Sequence, residues 1–242
     1  MEEFEILKWD SDFFGIKIAR ILPVRLDSVH LNSVLEALKE KNVVAAYWAC
    51  DSTDQESQKA AKRLKGILAD RKTKYKIDLS EIEIKEVNIS GTVEEFSSRK
   101  PNRALYDLAV QSGAYSRFRV DSNFSKQQFE DLYKKWIEQS TSRTLACVVF
   151  VVKEGKEIVG MICLGDKNGQ GRIVLFAVNS QKRGRNYGQA LVMAAHAWFF
   201  KKGYRTVQVV TQGSNIPACR FYEKCGYRVE KVENVYHFWL HF

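Results

Sequence analysis

The rhythm of apolar and polar positions changes several times along the chain, and each rhythm selects an element. Phe13 to Val24 reads F-F-G-I-K-I-A-R-I-L-P-V, a partial alternation that predicts a strand closed by Pro23. From Ser28 to Glu40, Val29, Leu31, Val34, Leu35 and Leu38 recur at near-helical spacing, and Asp27 stands where an N-cap is needed. Val43 to Ala49 is a short apolar strand. Gln55 to Leu68 sets Ala60, Ala61, Leu64, Ile67 and Leu68 on one face and charge on the other, which predicts a second helix, and Tyr75 to Leu79 a further strand. The order β-α-β-α-β describes a small N-terminal α/β domain. A polar stretch, Ser80 to Gly91, has no core pattern, so a boundary is placed inside it, giving domains 1–85 and 86–242.

The remainder is denser. Arg103 to Gln111 and Ser125 to Gln139 read as helices, the second with Phe129, Leu132, Tyr133, Trp136 and Ile137 in one stripe. Ala146 to Lys153, Glu157 to Leu164 and Arg172 to Val178 are three strands joined by hairpin-like turns at Lys153–Lys156 and Gly165–Gly169. A loop, Gln181 to Gly188, leads into a helix from Gln189 to Lys202 that Gly203 stops. Thr206 to Thr211 is a strand, Pro217 to Lys224 a helix stopped by Gly226, and Tyr236 to Leu240 a final strand. The class is α/β (α+β), with a mixed, largely antiparallel sheet.

Composition narrows the partners. The chain has 242 residues, 45% hydrophobic and 28% charged, the balance of a soluble, cored protein. No apolar run reaches the ~20 residues that span a bilayer. The opening Met-Glu-Glu-Phe-Glu lacks the basic-then-apolar order of a signal peptide, so a cytoplasmic protein without membrane association is expected. The five cysteines show no C-x-x-C spacing, and no metal site is expected. Cys147 and Cys163 read as small buried thiols in apolar strands. The formal net charge of +9 favours phosphate-bearing partners. Its cations are scattered, and no basic helix, zinc knuckle or RNP-like segment speaks for nucleic acid.

One segment combines charge with a backbone device. Gln181-Lys182-Arg183-Gly184-Arg185-Asn186-Tyr187-Gly188 joins a strand to a helix. Amides at such a junction lack partners and the helix dipole adds positive charge, so a pyrophosphate suits the place. Neither G-x-x-x-x-G-K-[ST] nor G-x-G-x-x-G is present, which argues against a P-loop and against a Rossmann dinucleotide site. Farther on, Thr211 to Tyr227 contains N-x-x-A-x-x-F-Y-x-x-x-G-Y, beginning at Asn215. Tyr222 in that segment has a reference pKa of roughly 10 and can act as a proton donor at neutral pH. Cys219 and Cys225 lie near it without any Cys-His arrangement.

With these residues in order, the chain resembles the Gcn5-related N-acetyltransferase superfamily over residues 86–242. That superfamily's R/Q-x-x-G-x-G/A motif corresponds to Arg183–Gly188, with Asn186 where glycine is usual. Asn accepts the left-handed backbone region better than most residues, so the loop is expected to survive. The resemblance implies acetyl-CoA as cofactor and direct attack of an amine on its thioester. It implies that Phe176, Ala177 and Val178 run beside the pantetheine arm and that Arg183, Gly184, Arg185, Asn186, Tyr187, Gly188 and Gln189 hold the pyrophosphate. Asn215 would contact the arm, and Tyr222 would protonate the departing thiolate.

Nearly the whole chain also resembles the dTDP-fucosamine N-acetyltransferase family. The likeness lies in Trp9-Asp10-Ser11-Asp12-Phe13-Phe14-Gly15, in Ser116-Arg117-Phe118-Arg119, and in Thr211-Gln212-Gly213-Ser214-Asn215-Ile216-Pro217-Ala218. It implies a nucleotide-linked 4-amino-4,6-dideoxy sugar as acceptor, in surface polysaccharide synthesis. Arg117 and Arg119 suit a diphosphate. Phe13 and Phe14, with Trp9 or Phe118, suit a base or sugar ring; each of the two phenylalanines also suits the core. Asp10 and Asp12 are candidates for a base, and loss of the proton to solvent is the alternative. A protein or small-metabolite amine remains the second acceptor class, and a homodimer is compatible with this reading.

Overall fold

The computed structural model describes residues 2–83 and 87–240. Its first part runs β1 (Phe4–Ile6), α1 (Lys8–Phe14), β2 (Ile18–Ile21), α2 (Ser28–Glu40), β3 (Ala45–Asp51), α3 (Gln55–Arg63) and β4 (Ile67–Asp78). The rest runs β5 (Thr92–Glu95), α4 (Arg103–Ser112), α5 (Arg117–Val120), α6 (Lys126–Thr141), β6 (Val148–Glu154), β7 (Glu157–Lys167) and β8 (Gln170–Val178). It closes with α7 (Tyr187–Lys201), β9 (Thr206–Gln212), α8 (Ile216–Lys224) and β10 (Arg228–Trp239).

Local chemistry explains most boundaries. The Asp27 carboxylate accepts the amides of Val29 and His30 at 2.9 and 2.8 Å and so opens α2. Ser125 and Gln128 form a reciprocal capping box at the start of α6. Gly203, at φ 83°, ends the chain's turn out of α7. The segment Phe13–Val24 is not one strand. Phe13 and Phe14 close α1, where Trp9 and Phe13 stack one turn apart with ring centroids 5.3 Å apart. Gly15, at φ 70°, ends that helix before β2 begins. The helix expected to reach Leu68 stops at Arg63, because Lys65 turns at φ 60° and Ile67 and Leu68 already belong to β4.

β4 and β10 are both far longer than their apolar patterns suggest. Their extra length is held by charged cross-strand pairs, Lys72–Glu233 at 2.9 Å and Lys74–Glu230 at 3.0 Å. Cys147 lies just before β6 and is exposed, its thiol 3.6 Å from Asp166 Oδ1, whereas Cys163 is buried as expected.

The ten strands of the described residues form one sheet in the order β1-β2-β3-β10-β4-β9-β8-β7-β6-β5. Among the described residues only β2–β3 and β8–β9 are parallel. The C-terminal strand β10 lies between β3 and β4, so strands from both ends of the chain are laced together. The expected boundary at 85/86 falls on residues outside those described.

One face of the sheet is covered by α1, α4, α5 and α6, around Phe14, Tyr47, Phe118, Leu132 and Met161. The other carries α7 and α8 over Tyr75, Ile162, Phe199 and Tyr222. Strand register puts α2 and α3, over Trp48 and Phe238, on that second face as well.

Within the second core His196 is fully buried, with Nε2 2.9 Å from the Tyr227 hydroxyl and Nδ1 unpartnered. Burial lowers its pKa to about 4. Because the folded value lies below the unfolded one, its contribution is complete above about pH 6.5 and is lost as pH falls toward 4. Unfolding free energy at pH 5 should therefore be about 2 kcal/mol lower from this group alone. His196→Gln should remove most of that slope in urea melts taken between pH 7 and pH 5; an unchanged slope would assign it elsewhere.

Candidate active site

Strands β8 and β9 pair only from Gly171↔Val207 to Ile173↔Val209. Beyond that point β8 continues to Val178 and β9 to Gln212 without pairing, so the sheet splits at its centre. One lip of the split is the β8 main chain from Val174 to Val178. Phe176 faces α8, its ring stacked on Phe221 at 5.3 Å, while Ala177 belongs to the core under α4. Gln111 of α4 fixes the end of this lip. Its Nε2 donates to the Val178 carbonyl at 2.8 Å, and its Oε1 accepts the Ser180 amide at 3.1 Å.

The basic loop follows directly. Gly184 and Asn186 both take positive φ, 81° and 62°, and Asn186 is the residue ahead of α7. From Arg183 through Gln189 no backbone N–H finds an acceptor among the described residues; hydrogen bonding resumes with Ala190 donating to Asn186. A left-handed residue between right-handed ones turns successive amides toward one point and makes an anion-binding hollow. At Gly188 a Cβ would sit 3.2 Å from Phe221 and 3.3 Å from Phe176, so a larger residue would press on both rings.

The cations of the loop are not equivalent. Lys182 and Arg185 both donate to Glu154, Arg185 at 2.6 Å, and the Tyr187 hydroxyl joins them at 2.9 Å. Hydrogen bonds from Lys182 and then Tyr187 bring the Glu154 carboxyl down to about 2 against the upward pull of desolvation. The Tyr187 side chain is thus buried beneath the loop, and only its amide faces the hollow. Arg183 is held by a single bond from Nε to the Val178 carbonyl at 3.3 Å, and its terminal nitrogens are free among the described residues.

Asn215 and Tyr222 sit across the split on α8. Asn215 caps that helix, its Oδ1 accepting the Ala218 amide at 3.3 Å, which leaves its NH₂ group available. Tyr222 is buried among Tyr75, Phe176, Phe221 and Tyr227. Burial pushes its phenol well above the ordinary value, and its hydroxyl has no hydrogen-bond partner among the described residues.

The acceptor-side candidates divide. Arg117 lies 4.0 Å from the Tyr47 ring centroid and 4.4 Å from that of Phe118, and its NH1 donates to His237 Nε2 at 3.1 Å. Asp10 faces it, and burial raises the Asp10 carboxyl while Arg117 opposes the rise. Phe14 is enclosed between Phe118 and Phe124, and Phe13 stacks on Trp9. Arg119 is exposed and turns away toward the Phe129 ring at 5.7 Å. Asp12 is exposed and paired with Lys8 at 2.7 Å.

Four polar groups not singled out in the sequence complete the cluster. Asp121 accepts from His237 Nδ1 at 2.7 Å and from Trp239 Nε1 at 2.9 Å. Tyr47 Oη and Asp70 Oδ1 are buried without a partner. Asp70, an acidic residue inside an otherwise apolar strand start, carried the one visible signal.

Comparison with known proteins agrees with this architecture. Residues 102–227 match the acetyltransferase (GNAT) family. The chain is 29% identical, over 98% of its length and 96% of the relative's, to a dTDP-fucosamine acetyltransferase of Escherichia coli O6:H1. It is 26% identical to the spore coat polysaccharide biosynthesis protein SpsD of Bacillus subtilis, over 56% of this chain and 47% of that protein. Among solved structures, a GCN5-related N-acetyltransferase from Sphaerobacter thermophilus shares the fold with a TM-score of 0.71 at 16% identity, covering 99% of this chain and 76% of that one. A split central sheet, a hollow of unpaired amides at a helix mouth and the match over residues 102–227 lead to one assignment: the chain belongs to the acetyltransferase (GNAT) family and is an N-acetyltransferase.

Proposed function

We propose that the protein moves an acetyl group from acetyl-CoA to the amine of a nucleotide-linked amino sugar of the dTDP-4-amino-4,6-dideoxyhexose type. The observation that carries the donor half is the run of acceptor-less amides from Arg183 to Gln189 at the mouth of the β8–β9 split. Those amides, with Arg183, suit a diphosphate, and the open β8 edge through Phe176, Ala177 and Val178 suits an extended amide-bearing arm. Acetyl-CoA supplies an acyl group activated as a thioester. Asn215 offers its NH₂ to the arm, and Tyr222 offers the only phenolic proton at the α8 side of the split that no neighbour among the described residues has taken. Lys182 and Arg185, bound to Glu154, keep the loop in shape rather than meeting phosphate directly.

The acceptor half rests on the nearly full-length likeness to dTDP-fucosamine acetyltransferase and on the Arg117 cluster, to which residues before 85 contribute Asp10, Phe13, Phe14 and Tyr47. Arg117 sits within that cluster and not on open surface, so it suits a polar group of the sugar. Exposed Arg119 suits the diphosphate better. The test is thiol release from acetyl-CoA with a panel of dTDP-4-amino-4,6-dideoxyhexoses. Turnover with at least one of them, well above turnover with free amino sugars or lysine peptides, is expected. Faster acetylation of a peptide or simple metabolite amine would replace this acceptor.

A further inference from the structure

We infer that Asp70 takes the proton from the acceptor's ammonium group, an assignment that rests on the acetyl-transfer reading above. An ammonium cannot attack a carbonyl, so some group must accept its proton, and that group needs a free lone pair within reach.

Asp70 meets the requirement where Asp12, Asp121 and Glu154 do not, and unlike Asp10 on α1 it stands on the strand that borders the split. Its Oδ1 is buried with no hydrogen-bond partner, a condition that native structures rarely leave without a use. Asp12 is exposed and already paired with Lys8. Asp121 is saturated by His237, Trp239 and Asn123. Glu154 is filled by Lys182, Arg185 and Tyr187.

Its place in the fold supports the role. On β4, Asp70 stands two positions before Lys72, whose pairing with Gln212 is the last between β4 and β9. The next carbonyl, that of Arg71, accepts the Gly213 amide at 2.7 Å, which ties this point to the turn leading into Asn215 and α8. Asp70 therefore lies at the end of β9 where the sheet splits. Strand alternation puts its side chain on the face opposite Tyr75, and so opposite Tyr222. A thioester threaded through the split would meet a proton acceptor from one face and a proton donor from the other.

Burial pushes the Asp70 carboxyl up to about 7, with Arg117 and then Lys72 opposing the rise. That value suits a base working near neutrality. The charged and titratable groups acting on it are Arg117 on α5, Tyr133 on α6 and Lys72 on its own strand. Arg117 is itself held by His237, which Asp121 holds in turn.

The proton balance closes. Asp70 takes one proton from R–NH₃⁺, and the neutral amine forms the N–C bond as the C–S bond breaks. Tyr222 gives its proton to the sulfur. The second nitrogen proton returns to the tyrosine through solvent, and Asp70 later releases its own, for a net loss of one proton.

The test has two arms. With acetyl-CoA and an accepted dTDP-amino sugar, Asp70→Asn should lower kcat/KM about 100-fold at pH 7. Its acidic limb should disappear, the deficit should shrink above the amine's own pKa, and acetyl-CoA affinity should stay unchanged. Equal pH–rate profiles would overturn the assignment. Independently, the Asp70 carboxyl ¹³C resonance of the wild-type protein, assigned through backbone connectivity, should titrate near pH 7; a midpoint below pH 5 would also overturn it. Failure of every dTDP-amino sugar as acceptor, with that resonance still titrating near 7, would remove the proposed acceptor and leave the base in place.

Discussion

Replacing Asp121 by alanine is expected to cost about 3–5 kcal/mol of stability, since it strands several buried donors at once. Asp121 is 1% exposed. Its Oδ1 accepts the Asn123 amide at 3.0 Å and Asn123 Nδ2 at 2.8 Å, and its Oδ2 accepts from His237 and Trp239. The state of His237 follows from its partners. A guanidinium only donates, so Arg117 requires a lone pair on Nε2, and the ring proton must lie on Nδ1, facing Asp121. Desolvation lowers the His237 pKa, with Asp121 pulling the other way, which keeps the ring neutral.

Burial alone would raise the Asp121 carboxyl. The hydrogen bonds from His237, Trp239 and Asn123 outweigh it and hold the group well below the usual carboxylate range. Its folded pKa is thus depressed, so the stabilisation is complete above the unfolded value near pH 4 and is lost as pH falls below it. Urea unfolding should show the full deficit of the variant at pH 7 and a shrinking one below pH 4. A deficit under about 1 kcal/mol at pH 7 would mean that water replaces the carboxylate, and the His237–Arg117 orientation would then need another support.

The parts of the fold visible in the sequence are those where one residue's chemistry decides locally. Asp27, Ser125, Gly203 and Gly226 mark helix ends by capping or by positive φ, and the apolar strand β7 announces itself by burial on both faces. The hidden parts depend on partners distant in the chain. Lys72 and Lys74 look like a solvated run until Glu233 and Glu230 lie beside them on β10. Phe13 and Phe14 look like a strand until Gly15 and the stacking of Trp9 on Phe13 reveal a short helix.

The candidate site divides in the same way. The loop from Arg183 to Gly188 is contiguous, so its glycine, its left-handed Asn186 and its charge can be read together. The cluster of Tyr47, Asp70, Arg117, Asp121 and His237 draws on β3, β4, α5 and β10, and no local pattern announces it. Glu154 is the clearest case of what contact adds, because it takes up two of the three cations that the loop alone would offer to phosphate.

Tyr222→Phe is expected to lower kcat about 10²-fold while leaving acetyl-CoA affinity within a factor of two, the difference between a bond made in the transition state and one made throughout. Phenol and thiol differ by about 1.5 pKa units in water, roughly 10 against 8.5, so full transfer from tyrosine to a free thiolate would run uphill there. The setting of Tyr222 changes that comparison. The ring is 4% exposed and enclosed by Tyr75, Phe176, Phe221 and Tyr227, and a thiolate leaving beside it would be equally deprived of water. Both pKa values then rise, and the sulfur, whose charge is newly formed, gains most from a donated proton. The Phe variant keeps the aromatic packing, so its melting temperature should stay close to the wild type. A kcat loss accompanied by a fall in stability would indicate a packing role. A kcat within threefold of wild type would take the proton-donor role away from Tyr222 and place it with solvent.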